Sequence, residues 1–176
     1  MIDSLIRSKT RIKILLKFFL NSKTKGYLRS LEKDFGESTN AIRIELNRFI
    51  KAGLLKSELV GNKRVYQANT SHPLYNDLNS IVRKTIGIDK IIDKVTSQIG
   101  DLDKAYIGGR FASGLDSDVI ELVLIGKNLD TSYIDILTAK AEKIINRKIY
   151  YIVLTKEKMK HFYKDQPVLL IWQKDK

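Results

Sequence analysis

The chain of 176 residues has no cysteine, two histidines, two prolines and no long unbroken apolar run. Without cysteine there is no disulfide framework and no thiolate metal site, and His72 and His161 are too few for a typical zinc site. Any metal would have to be held by carboxylates. So few prolines with 43% hydrophobic residues argue against a disordered chain. The apolar stretch 12–20 is interrupted by Lys13 and Lys17 and falls short of the roughly 20 residues a membrane span needs. No signal-peptide pattern opens the sequence, so the expectation is a soluble cytoplasmic protein with no membrane partner.

What the chain does have is positive charge, unevenly placed. The formal net charge is +12. Residues 1–70 carry 15 Lys and Arg against 6 Asp and Glu, whereas residues 71–176 carry 17 against 14. A field concentrated in the first third fits a polyanionic partner, nucleic acid before acidic membrane. Basic residues that merely keep the chain in solution are the alternative.

The same region reads as three helices and a hairpin. Apolar residues Leu5, Ile12, Leu15, Leu16, Phe19 and Leu20 predict a first helix near 4–20, and Leu28, Leu31 and Phe35 a second over 27–35. Gly36 supplies the turn, Ser38 an N-cap, and Ile42, Leu46, Phe49 and Ile50 the apolar stripe of a third helix over 39–52. After Gly53, β-prone runs at 54–60 and 64–68 flank a Gly61-Asn62 turn.

This arrangement resembles the winged helix-turn-helix of bacterial regulators of the ArsR and MarR type; EL-NRF-KAGLL and GNKRVYQAN are similar to the end of their recognition helix and to their wing. The resemblance implies that residues 1–70 bind double-stranded DNA. With the apolar stripe of the third helix inward, Ser38, Thr39, Asn40, Arg43 and Asn47 lie at its start or on its open face, where they reach a major groove. Lys63 and Arg64 at the wing tip and Arg29 with Lys33 on the second helix are candidate phosphate contacts. A helical packing module with a solvated basic face is the competing expectation.

Residues 71–100 form the expected helical linker. Pro73 breaks the preceding strand, and the series through Leu74, Leu78, Ile81, Val82 and Ile86 is interrupted by Gly87 before a second series from Ile88 to Ile99. These helices join two domains and are candidates for making a homodimer. His72 is expected as a cap or surface residue.

Residues 101–176 predict strands ending at Gly108-Gly109, over 119–125, 148–154 and 168–172, with helices over 133–146 and 156–164. The whole is therefore α+β, with a small mixed-sheet C-terminal domain. Tyr150, Tyr151 and Trp172 fit sheet or core positions rather than a base-stacking platform. The basic 156–164 helix is expected to face solvent.

The order of elements is similar to the minimal nucleotidyltransferase fold, marked by a strand ending in Gly-Ser, then x-Ala-x-Gly, then a strand bearing Asp-x-Asp. In active members the turn holds nucleotide phosphates and the two carboxylates bind Mg²⁺. Here Gly109, Phe111, Ala112, Gly114, Ser117 and Asp118 keep the outline. Arg110 replaces the serine, only Leu115-Asp116 separates Gly114 from Ser117, and Ile120 stands where the second aspartate belongs. Glu121 falls on the opposite strand face from Asp118 by the two-residue alternation, and the third strand offers no carboxylate. The expectation is a degenerate, inactive domain with no catalytic residue, no metal and no cofactor. It would serve as scaffold or ligand sensor, with Gly109, Arg110 and Asp118 the candidate contacts for an anionic or nucleotide ligand. The alternative is a metal-dependent, antitoxin-like nucleotidyltransferase that modifies protein or RNA.

Overall fold

The computed structural model describes residues 6–95 and 99–174 and divides them between two compact units. One unit runs to Thr85 and takes in Gly114–Asp116; the other comprises Ile86–Ser113 and the chain from Ser117. The stretch 71–100 is thus shared between them. The architecture is mixed α+β, with helices and two small sheets of three and four strands.

In the first unit, helix α1 (Lys9–Phe19) starts where Ser8 Oγ accepts from the Arg11 N–H. Its start is later than residue 4 because that cap fixes the first turn; residues 1–5 lie outside those described. Strand β1 (Gly26–Tyr27) pairs antiparallel with β3, so Tyr27 is extended rather than helical as the sequence suggested. Helix α2 (Leu28–Phe35) then begins, with Ser30 Oγ accepting from the Tyr27 N–H, and ends at Gly36 in the left-handed region. Helix α3 (Thr39–Lys51) has Ser38 as N-cap, its Oγ accepting from the Ala41 N–H. Strands β2 (Leu55–Val60) and β3 (Lys63–Ala68) form a hairpin, in register from Leu55 opposite Ala68 to Val60 opposite Lys63. The sheet order is β1-β3-β2.

Phe18, Phe19, Leu31, Ile42, Leu46, Leu55 and Val65 are buried and make the core of this unit. The Phe19 ring lies 6.2 Å from Phe49 and 5.9 Å from Tyr75. Helix α4 (Tyr75–Ile86) is tied on through Asn79 Nδ2, which donates to the Phe19 carbonyl at 2.6 Å. His72 acts as a local cap, its Nδ1 accepting from the Leu74 N–H.

Helix α5 (Ile88–Val95) opens the second unit. The break before it falls at Gly87, where φ is +90° and an added Cβ would stand 2.4 Å from Ile145 Cγ2. Only glycine meets both demands without strain. There follow β4 (Asp101–Ile107), the single turn α6 (Gly109–Ala112), β5 (Val119–Lys127), α7 (Thr131–Ile145), β6 (Lys148–Leu154), α8 (Lys156–Phe162) and β7 (Leu169–Gln173). The sheet order is β6-β5-β4-β7, with β5 and β6 parallel and both pairings of β4 antiparallel.

Strand alternation gives this sheet two distinct faces. Val123, Ile125 and Leu154 pack with Tyr106, with Met159 of α8 and with Tyr163 just past its end. Tyr151, on the other parity, turns to α7, where its hydroxyl donates to Asp135 Oδ1 at 2.7 Å. That hydrogen bond, then burial, then the Asp135 charge push the Tyr151 hydroxyl up to about 12. No helix among the described residues is long and apolar enough to cross a membrane.

Candidate nucleic-acid interface and the glycine turn

Helix α3 has two unlike sides. Ile42, Leu46 and Phe49 face the core, whereas Asn40, Arg43, Ile44, Asn47 and Lys51 are exposed at spacings that place them on one face. Thr39 is half-buried, and the hydroxyl of the exposed Ser38 is engaged as the helix cap. On the hairpin, Lys63 and Arg64 are exposed. A cleft of about 530 Å³ brings them together with Arg29, with Tyr27, Ser30 and Asn62 also in its wall. The α3 candidates are not among the residues lining that cleft.

The acidic side chains sort the cations further. Arg11 Nε and Arg48 Nη1 meet Glu45 at 2.9 and 2.7 Å, Lys17 meets Asp34 at 2.9 Å and Lys13 meets Glu37 at 2.8 Å. Lys25 meets Glu58 at 3.3 Å. Every acid in these pairs is used on a cation other than Arg29, Lys33, Arg43, Lys63 or Arg64; among the described residues none of these five has a carboxylate within salt-bridge distance. Glu45 is buried, which pushes its carboxyl up, but the hydrogen bonds and charges of Arg11 and Arg48 outweigh burial and hold it below the usual range.

In the second unit the carboxylate of Glu121 lies over the glycine turn. A Cβ at Gly109, where φ is +57°, would fall 2.0 Å from Glu121 Oε1, and the Gly108 N–H donates to the Glu121 carbonyl at 2.8 Å. Tyr163 stands beside Gly108. Burial first, and the Glu121 charge second, raise the Tyr163 hydroxyl. Asp118 is elsewhere: it borders a cavity of about 430 Å³ with Glu142, Lys143, Arg147 and Lys148 at the end of α7. Arg110 is exposed. Gly109 is not among the residues lining that cavity. Among the described residues no three His, Cys, Asp or Glu side chains cluster as a metal site.

Two residues escaped the sequence reading. Ile44 is apolar, but the period of Ile42, Leu46 and Phe49 turns it to the far side of the helix, and it is 44% exposed. Arg147 stacks 5.2 Å above the Phe111 ring and donates to the Ser117 carbonyl, pinning the ends of the loop between α6 and β5. Its position just past a helix C-terminus gave no hint of either partner.

No protein-family model and no curated protein matches the chain. Among solved structures, it is similar to a predicted DNA-binding transcriptional regulator from E. coli, at 19% identity and a TM-score of 0.36 over 47% of this chain and 80% of that one. It is also similar to a protein from Archaeoglobus fulgidus, at 16% identity and a TM-score of 0.38 over 53% of this chain and 94% of that one. TM-scores of this size do not establish a shared fold.

Proposed function

We propose that the protein is a sequence-specific, double-stranded-DNA-binding transcriptional regulator that works as a cytoplasmic homodimer. In this reading residues 1–70 are a winged helix-turn-helix, 71–100 a helical linker and 101–176 a nucleotidyltransferase-like domain that serves as scaffold or ligand sensor. The supporting observation is the set of exposed cations on α2, α3 and the hairpin that no carboxylate pairs, in a unit where Arg11, Lys13, Lys17, Lys25 and Arg48 each meet one. An uncompensated cation gains more from a phosphate than one already neutralised at 2.7–2.9 Å.

The mechanism is occupancy of an operator. Asn40, Arg43 and Asn47 on α3 offer donors and acceptors to base edges in a major groove, while Arg29, Lys63 and Arg64 hold the flanking phosphates. Selection from random duplexes followed by gel shift tests the reading. A preferred sequence should emerge, and Arg43→Ala should weaken it by roughly tenfold or more while Lys23→Ala has little effect. Equal losses would refute it.

For the second domain, electrostatics favours a non-catalytic role. A triphosphate approaching the Gly109 turn meets the Glu121 carboxylate, of the same sign. Incubation with labelled nucleoside triphosphates and Mg²⁺ or Mn²⁺ should transfer no label. Transfer that Asp118→Ala abolishes would establish an enzyme instead.

A further inference from the structure

Ile44 is an apolar side chain set among hydrogen-bonding ones. It is 44% exposed, four residues from Asn40 and three from Asn47, with Arg43 beside it in sequence. The core of this unit takes its neighbours Ile42 and Leu46, each fully buried, and gives Ile44 no place. A β-branched residue at a solvent-facing helical position contributes nothing to the helix that Ala or Lys would not supply better. Its value lies in whatever α3 meets.

We propose that Ile44 reads the 5-methyl group of thymine, next to an adenine read by Asn40 or Asn47, and so makes an A·T pair a fixed feature of each operator half-site. The inference rests on the DNA-binding reading above. In the major groove an A·T pair shows N7 and N6 of adenine, which match the amide of asparagine, and beside them the thymine methyl, the one apolar group that any base offers there. A helix face carrying Asn, Ile and Asn within two turns presents the matching pattern: amide, methyl-bearing side chain, amide. The contact removes apolar surface from water on both sides, and a G·C pair offers nothing equivalent.

The test uses the full-length protein and the duplex obtained by selection. Each thymine is replaced in turn by deoxyuridine, which deletes the methyl and leaves every hydrogen bond intact. Wild-type protein should lose about fourfold in affinity at one thymine per half-site, the ordinary effect of one buried methyl. Ile44→Ala should bind the unmodified duplex several-fold more weakly and be indifferent to that replacement, while Ile44→Val should keep the penalty. Because Ile44 is exposed, the melting curves of these variants should match the wild type, and sedimentation should show the same oligomer. A penalty that persists in Ile44→Ala, or no uracil-sensitive position at all, overturns the inference while the regulator reading stands. A change of oligomeric state in Ile44→Ala overturns it in favour of a subunit contact. Failure to select any duplex overturns the regulator reading itself.

Discussion

Glu45 lies on the buried side of α3 with its carboxylate held by Arg11 from α1 and by Arg48 three residues on in its own helix. The folded-state pKa is depressed, so the group contributes stability that is fully present above the ordinary glutamate range, about 4.3, and is lost as pH falls through the lower folded value. Glu45→Gln should therefore lower the urea midpoint at pH 7 and narrow its gap to wild type on acidification to pH ~3. A loss of about 1–3 kcal/mol at neutral pH is expected, since charge-assisted hydrogen bonds are removed while both arginines stay in reach of water. A gap constant with pH would exclude this ion pair as the source. The same pair engages the charge of Arg48, which is exposed on α3.

At the level of elements, each boundary follows from a local device that a single substitution can remove. Ser38→Ala deletes the oxygen that accepts from Ala41 N–H and should cost about 1 kcal/mol by chemical denaturation, with fraying at the start of α3. Gly87→Ala brings a Cβ into Ile145 and a side chain into a left-handed backbone; a loss of about 2–3 kcal/mol is expected. Helix caps and the two-versus-three-and-four spacing of apolar residues are local, which is why α2, α3, β6 and the hairpin were legible with ends displaced by a residue or so. Strand β1 was not legible: two residues have no period, and Gly26 and Tyr27 are extended because they pair with Tyr66 and Val65 some 40 residues away.

At the scale of the whole molecule, binding to DNA should be governed by counterion release. The affinity should fall linearly with salt on logarithmic axes, and replacing both Lys63 and Arg64 by Ala should reduce the slope by about two while weakening all sequences alike. A slope unchanged by that pair would remove the hairpin from the interface. Arg43 and Ile44, by contrast, should change which sequence is preferred more than how steeply salt weakens binding.

The sequence by itself determined the excess of charge in the first 70 residues and the run of the longer helices and strands, because charge and side-chain period are local properties of the chain. Only the tertiary structure decided which cations keep a carboxylate and which stand without one, and that Glu121 covers the Gly109 turn. Those outcomes depend on which distant residues arrive within a few ångströms of each other, and the period of a single strand or helix carries no record of that.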